Sequence, residues 1–283
     1  MAELDQECSS ASSCSRESCE GCPSKSGGPQ SFRVDQNAYS DIKHVIGVVS
    51  GKGGVGKSLV TASLANALAR TGARVGILDA DITGPSIPKM YGLTGPAEAL
   101  AEDQILPAVS SNGIKVMSLN LIMQDPEQAV VWRGPVIAGV VKQFWTDVVW
   151  GELDYLLVDM PPGTGDVPLT VFQSLPVDGI FIVTSPQDLV RMIVAKAVNM
   201  AKLMEIPVLG VIENYSYLVC PDCGRKIEVF GNSRIEEIAK EMDIPFAGQI
   251  PIVSEYAQLS DEGRFAEAEN TYIGQALSLL QGI

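Results

Sequence analysis

Histidine and basic residues are scarce in this sequence. Its 283 residues include one histidine, His44, and 20 Lys and Arg against 34 Asp and Glu, so the formal net charge is −14. The calculated pI is about 4.5. Because an acidic surface repels phosphate backbones and anionic headgroups, we expect neither nucleic acid nor an anionic membrane as a partner.

Long apolar runs are also missing. None approaches the roughly 18–20 residues that cross a bilayer. The N-terminus carries Glu3, Asp5 and Glu7 without an apolar core, which does not predict a signal peptide. We therefore expect a cytoplasmic protein whose six cysteines stay reduced and bind metal rather than form disulfides.

A glycine-rich stretch from Gly51 to Ser58, GKGGVGKS, matches the pattern G-x-x-x-x-G-K-[ST]. Residues 45–50 before it predict a buried strand, and residues 59–70 after it predict a helix. In that context the loop N–H groups and the helix N-terminus face a phosphate. Lys57 can then reach the β- and γ-phosphates, and the Ser58 hydroxyl can bind Mg²⁺. The sequence thus predicts a nucleotide site.

Predicted strands and helices alternate from Val45 onward, which indicates an α/β fold with a mostly parallel central sheet flanked by helices. We expect one P-loop NTPase domain over residues 41–283. The remaining predicted segments are strands at 74–81, 155–159, 179–185, 208–214 and near 248–251, helices at 191–204 and 271–280, and a hairpin-like insertion at 93–135.

Three aspartates end two of these strands. Asp79 and Asp81 end the strand after the phosphate loop, and Asp159 ends the next predicted strand. Ligands in α/β folds bind beyond the carboxyl ends of the strands, so we expect these carboxylates at the edge that carries the loop. An apolar strand that ends in Asp suits the position of a magnesium-water ligand.

The first 40 residues predict a flexible, cysteine-rich tail with too few apolar residues for a core. Four cysteines lie in it with the spacing Cys-x5-Cys-x4-Cys-x2-Cys: Cys8, Cys14, Cys19 and Cys22. Four thiolates can wrap one metal centre without a packed scaffold, because the metal supplies the folding energy. The ligand set suits either zinc or an iron–sulfur cluster.

A second cysteine motif follows the last long predicted strand. Cys220 and Cys223 form a Cys-x2-Cys knuckle followed by glycine, but two thiolates do not complete a tetrahedral site. The pair could join tail cysteines in a zinc ribbon or act as a redox dithiol. It could also meet its copy across a dimer axis, where four thiolates hold one four-iron cluster. The residues alone favour zinc slightly.

These motifs together resemble a known family. The loop KGGVGKS, with Lys52 as its second residue, looks like the deviant Walker A of the MinD/ParA/nitrogenase-iron-protein class. The stretches DADITGPSIP at 79–88, DMPPGTGD at 159–166, ENYS at 213–216 and CPDCG at 220–224 are similar to the Mrp/ApbC branch. That branch includes the cytosolic iron–sulfur scaffold ATPases of eukaryotes. The resemblance covers residues 42–283.

The resemblance implies roles in binding and hydrolysing ATP with Mg²⁺. Lys57 would hold phosphates, Lys52 would reach the partner's phosphates across a dimer, and Asp81 would orient the attacking water. Ser58 would bind Mg²⁺, and Asp159 would hold a magnesium water. The residues implied to contact the nucleotide are Gly51, Gly53, Gly54, Val55, Gly56, Lys57, Ser58, Leu59, Asn214 (at the adenine) and Pro251.

The resemblance also implies that Cys220 and Cys223 hold a labile [4Fe-4S] cluster at the interface of a homodimer, for delivery to apo iron–sulfur proteins. Eukaryotic members carry an N-terminal four-cysteine cluster with a different spacing, so a second cluster on the tail is a hypothesis. Tyr215 stands where the family usually has methionine.

We therefore expect an ATP-hydrolysing carrier or scaffold for iron–sulfur clusters, with slow hydrolysis. One alternative is a MinD/ParA-like positioning ATPase, which needs a basic patch or a basic amphipathic C-terminal helix. Residues 272–283 contain no Lys or Arg, which disfavours it. The other alternative is a zinc-stabilised nucleotide-binding regulator, which sequence cannot separate from the carrier because every ligand is cysteine.

Overall fold

A computed structural model describes residues 33–81, 84, 86–101, 104–123, 134–186 and 190–283. Val34–Ile283 form one compact unit. The four cysteines of the predicted tail, Cys8, Cys14, Cys19 and Cys22, lie outside the described residues, as does the segment 124–133.

The chain alternates between strands and helices over most of the described residues. The strands are β1 (Ser40–Ser50), β2 (Val75–Asp79), β3 (Ala99–Ala101), β4 (Gln104–Ile105), β5 (Ala108–Val109), β6 (Lys115–Ser118), β7 (Gly151–Asp159), β8 (Gly179–Thr184), β9 (Val208–Glu213), β10 (Leu218–Val219), β11 (Lys226–Ile227) and β12 (Phe246–Gln249). The helices are α1 (Lys57–Arg70), α2 (Ile87–Met90), α3 (Gly134–Thr146), α4 (Asp166–Ser174), α5 (Val190–Leu203), α6 (Ile235–Glu241), α7 (Ser254–Asp261) and α8 (Gly274–Leu280). Short 3₁₀ turns lie at Leu119–Leu121, Phe265–Glu267 and Thr271–Ile273.

Eight of the described strands form one sheet in the order β12-β9-β8-β1-β7-β2-β6-β5. All neighbours in it pair in parallel except β5 and β6, which are antiparallel at one edge. Strand β1 lies between β7 and β8, so the loop that follows it leaves from the middle of the sheet. The predicted α/β architecture with a mostly parallel sheet is confirmed.

Helices cover both faces of this sheet. Successive residues of β1 point to opposite sides: Val45 and Val49 pack in one core with side chains of α3, α4 and α5, and Ile46 and Val48 pack in the other with side chains of α1 and α8. Because both faces are buried, the central strands are apolar on both sides rather than alternating. The same burial explains why near-continuous apolar runs mark these strands in the sequence.

The predicted insertion at 93–135 is confirmed only in part. Strands β3 and β4 form an antiparallel hairpin outside the main sheet. Strand β6, however, pairs in parallel with β2 and extends the main sheet, with β5 antiparallel beside it. The sequence did not reveal β6, because its four residues carry a lysine and two buried apolar side chains and resemble a short connecting segment. None of the helices in the described part of the chain has the length and hydropathy to span a bilayer.

Candidate functional site

The loop between β1 and α1 has the backbone that phosphate binding needs. Gly54 and Gly56 adopt left-handed φ angles of 78° and 75°, which glycine reaches without steric cost. Gly56 is the N-cap of α1, so no side chain caps the first N–H groups of this 14-residue helix. Those groups and the positive end of the helix dipole therefore remain directed at a ligand.

A buried carboxylate lies behind this loop. Asp159, the last residue of β7, accepts hydrogen bonds from Ser58 Oγ at 2.5 Å and from Thr61 Oγ1 at 2.8 Å. Lys57 Nζ lies 2.8 Å from Asp159 Oδ1 and 3.6 Å from Asp81 Oδ2. The structure thus brings together four predicted functional groups, those of Lys57, Ser58, Asp81 and Asp159. Thr61 was missed, although it follows Ser58 by one helical turn and so shares its face.

Asp79 differs from Asp159 and from Asp81, which lies two residues beyond the end of β2 rather than at its end as predicted. It lies directly opposite Asp159 in the β2–β7 register and is fully buried. Burial and the nearby charge of Asp159 raise the pKa of Asp79 well above its usual value. Its oxygens accept hydrogen bonds from Ser118 Oγ and from the backbone N–H of Asp81. Asp79 therefore supports the backbone that positions Asp81.

A cavity of about 390 Å³ opens in front of the phosphate loop. Its lining residues are Ser50, Gly53, Gly54, Val55, Gly56, Lys57, Ser58, Leu59, Asp81, Ser86, Lys89, Met90, Pro162, Ser260 and Asp261. Most of the predicted loop residues are included. The wall formed by α2 and α7, where Lys89 Nζ and Asp261 Oδ1 lie 4.0 Å apart, was not predicted from the sequence. The turns that follow these two helices approach closely at Gly92 and Gly263, since a Cβ on Gly92 would lie 2.6 Å from the Gly263 carbonyl oxygen.

Four residues implied to act at the nucleotide lie outside this lining. Lys52 is half-buried in the loop, and Gly51 packs so closely on Ile193 of α5 that a Cβ would overlap it. Asn214 is fully buried and donates a hydrogen bond from Nδ2 to the Val55 carbonyl at 2.9 Å. Pro251 is buried just beyond β12. Asn214 therefore contacts the phosphate loop directly.

The second cysteine motif lies at the tip of the β10–β11 hairpin. The Cys220 N–H donates to the Arg225 carbonyl and the Gly224 N–H donates to the Cys220 carbonyl, both at 2.9 Å. Cys220 is half-buried and Cys223 is exposed. The N–H groups of Cys223 and Asp222, and then the Cys223 thiol, lower the pKa of Cys220. A lowered thiol pKa favours the thiolate, which is the form that binds metal.

One described chain does not supply a complete metal site at this hairpin. Among the described residues, no group of three or more His, Cys, Asp or Glu side chains is placed to hold a metal ion. The hairpin and the residues just after it expose apolar side chains close in sequence to the thiols: Leu218, Val219, Ile227, Val229 and Phe230. Exposed apolar side chains grouped in this way mark an interaction surface.

The chain is similar to known P-loop NTPases and iron-sulfur cluster carrier proteins. The model of the ParA family described as NUBPL iron-transfer P-loop NTPase matches residues 41–281. An iron-sulfur cluster carrier protein of Methanocaldococcus jannaschii is 46% identical over 254 residues, 87% of each chain. One of Clostridium perfringens is 45% identical over 274 residues, 93% of this chain and 95% of that one.

Two solved structures resemble the chain, one of them a nucleotide-binding protein and the other a likeness of fold. A nucleotide-binding protein from Archaeoglobus fulgidus, in complex with ADP, is 46% identical with a TM-score of 0.72, over 81% of this chain and 89% of that one. A chain of the MinC:MinD cell division protein complex of Aquifex aeolicus reaches a TM-score of 0.61 at 21% identity, over 85% of this chain and 96% of that one. This second likeness concerns the fold alone.

Proposed function

The chain belongs to the ParA family of NUBPL-type iron-transfer P-loop NTPases, and from that premise we propose that it carries iron–sulfur clusters and hydrolyses ATP to do so. One observation supports this most strongly. A single domain places a phosphate loop with Lys57 and Asp159 in contact, and also presents the thiols of Cys220 and Cys223 on an exposed hairpin.

The cargo would be a [4Fe-4S] cluster shared by two copies of the chain. Such a cluster takes four thiolates, and each described hairpin offers two, Cys220 and Cys223. A two-fold axis beside the hairpin brings the second pair from a homodimer partner. The exposed apolar side chains close in sequence to the thiols would be buried by that contact, and the exposed thiol of Cys223 would meet the cluster first. Apo iron–sulfur proteins would then accept it.

The residues behind the loop fit ATP with Mg²⁺. Ser58 Oγ would bind Mg²⁺, which prefers oxygen ligands, and Asp159 Oδ2, which accepts a hydrogen bond from Ser58 Oγ, would hold a magnesium water. When bound, Mg²⁺ neutralises charge on the phosphates. Lys57 would exchange its contact with Asp159 for phosphate oxygens, and Asp81 would orient the water that attacks. Lys52 would reach the partner's nucleotide.

Neither alternative is favoured by a specific contact. A positioning ATPase would need a basic membrane- or DNA-binding surface, whereas helix α8 and the residues after it carry no Lys or Arg. A zinc-stabilised regulator would also bind metal through Cys220 and Cys223. It differs from the carrier because it would hold zinc and would not transfer a cluster to an acceptor protein.

We also propose that the protein acts in the cytoplasm, and that Asn214 and Pro251 lie at the adenine of the bound nucleotide.

Transfer to an acceptor tests this proposal. The full chain, reconstituted anaerobically with iron and sulfide, is mixed with an apoenzyme that needs a [4Fe-4S] cluster, and the recovery of enzyme activity is followed. We expect recovery with the wild type and none with Cys220→Ala, even if a tail cluster is present. Equal recovery with Cys220→Ala would contradict delivery from the hairpin.

A further inference from the structure

Glu213, the last residue of β9, holds three groups together through a buried carboxylate. The residue is 1% exposed. Its Oε2 accepts hydrogen bonds from Ser216 Oγ at 2.6 Å and from Gln249 Nε2 at 3.0 Å, and its Oε1 accepts one from Ser233 Oγ at 2.8 Å. Hydrogen bonds to a buried carboxylate are strong, and losing one leaves the carboxylate short of a partner.

Two of these three donors flank the cysteine hairpin. Ser216 comes just before it and Ser233 just after it, so the segment 217–232 with Cys220 and Cys223 begins and ends at the same carboxylate. The entry to the segment is fixed further by backbone bonds, from the Ser216 N–H to the Ile250 carbonyl and from the Ile252 N–H to the Tyr217 carbonyl. Glu213 therefore sets where both ends of the hairpin lie.

The residue after Glu213 contacts the phosphate loop. Asn214 donates from Nδ2 to the Val55 carbonyl at 2.9 Å, and its own N–H donates to the Thr184 carbonyl of β8 at 2.8 Å. A Cβ on Gly56 would overlap the Asn214 amide nitrogen and would lie 2.8 Å from the Tyr215 hydroxyl. A change in the loop at Val55 and Gly56 would therefore act on Asn214 through this hydrogen bond and this close approach.

We propose that Glu213 is a positioning residue that couples the nucleotide state of the phosphate loop to the cysteine hairpin. The path runs from Val55 through the Asn214 side chain to the adjoining Glu213, and from there through Ser216 and Ser233 to the two ends of the segment 217–232. The inference rests on the proposed function, since it gives ATP a route to the cluster-binding thiols. It concerns the protein alone, however, and can be measured without a cluster.

The reactivity of the two thiols reports on this coupling. Full-length protein, reduced and freed of metal by a chelator, is treated with iodoacetamide with and without ATPγS, and alkylation of Cys220 and Cys223 is read by peptide mass spectrometry. Protein is kept at a concentration where light scattering gives the mass of one chain, so that a second copy does not shield the thiols. Coupling between sites typically changes an equilibrium constant by about fivefold or more, and we expect a change of about this size in the alkylation rate.

Three variants separate coupling from a purely structural role. Glu213→Ala removes all three hydrogen bonds, whereas Glu213→Gln keeps them, because its amide can donate to Ser233 while its oxygen accepts from Ser216 and Gln249. Gln249→Ala is the matched control, since it removes one bond to Glu213 but none to the hairpin ends. Fluorescent nucleotide titration checks that each variant still binds nucleotide. If Glu213→Ala does not fold, the Ser216→Ala/Ser233→Ala double variant takes its place.

We expect the nucleotide to change the alkylation rate in the wild type, in Glu213→Gln and in Gln249→Ala, and to leave it unchanged in Glu213→Ala or the double serine variant. The proposal would be overturned if nucleotide changed the alkylation rate in Glu213→Ala, or in the double serine variant that replaces it, as much as in the wild type. It would also be overturned if nucleotide did not change the alkylation rate in the wild type. Failure of the carrier function gives a different result: cluster transfer would be lost while this Glu213-dependent response persisted.

Discussion

Lys57 Nζ lies 2.8 Å from Asp159 Oδ1, with Lys57 5% exposed and Asp159 fully buried. The signature lysine of the phosphate loop therefore has a buried carboxylate partner. A buried carboxylate that loses its cation is strongly destabilising, whereas an exposed pair of the same length contributes little. The pair thus links the nucleotide site to the stability of the sheet.

We predict that Lys57→Ala lowers the free energy of unfolding by about 3 kcal/mol, because it leaves Asp159 buried without its cation. It should also abolish ATP binding. Urea unfolding without nucleotide measures the first effect. The matched control is Lys43→Ala, since Lys43 and Asp154 are also 2.8 Å apart but lie at the surface, and we expect it to change stability by about 0.5 kcal/mol. Equal losses in the two variants would contradict a buried, energetically important pair.

Lys52→Ala should separate nucleotide binding from dimer closure. Lys52 lies outside the cavity that Lys57 lines, so a single chain should bind a fluorescent ATP analogue with nearly unchanged affinity. Light scattering with ATPγS should nevertheless show loss of the nucleotide-induced dimer. Lys57→Ala should lose both properties. A Lys52→Ala protein that dimerises like the wild type would exclude the proposed role of Lys52 across the interface.

Gly56 should tolerate a methyl group less well than Gly54. Both have φ angles near 75–78°, so alanine at either position adds about 1–2 kcal/mol of backbone strain. Only at Gly56 would the added Cβ overlap Asn214, while at Gly54 nothing lies within 4 Å. Thermal and urea unfolding should therefore show a further loss of about 1–3 kcal/mol for Gly56→Ala. Equal stability of the two variants would contradict the tight contact between Asn214 and the loop.

The lowered pKa of Cys220 predicts a shift in its reaction with iodoacetamide. Only the thiolate reacts, so the rate falls as the pH drops through the thiol pKa. In the folded protein this fall should come at a lower pH than for the same thiol in urea, where the N–H groups of Cys223 and Asp222 no longer face the sulfur. Peptide mass spectrometry on the apo protein measures both profiles. Coincident profiles would show that the hairpin does not favour the thiolate.

Local sequence predicted the parts of the site that depend on local backbone. The phosphate loop, Asp81 and Asp159 follow from a strand–loop–helix pattern and from strands that end in aspartate, and parallel pairing brings them to one edge. The wall formed by α2 and α7 could not be predicted, because it depends on the close approach of Gly92 and Gly263, which are distant in sequence. The hydrogen bonds to the Glu213 carboxylate could not be predicted for the same reason, since Ser233 and Gln249 reach it only in the folded chain.

In the proposed homodimer, two copies of the chain share one cluster through Cys220 and Cys223. The most direct measurement is the iron, sulfide and zinc content per chain, together with the mass in solution, of anaerobically reconstituted full-length protein whose Cys8, Cys14, Cys19 and Cys22 are replaced by serine. We predict a dimer with four irons and four sulfides per two chains, as one four-thiolate cluster requires, and neither the dimer nor the cluster in the further Cys220→Ala variant. Zinc without iron, or a full cluster on a single chain, would contradict it.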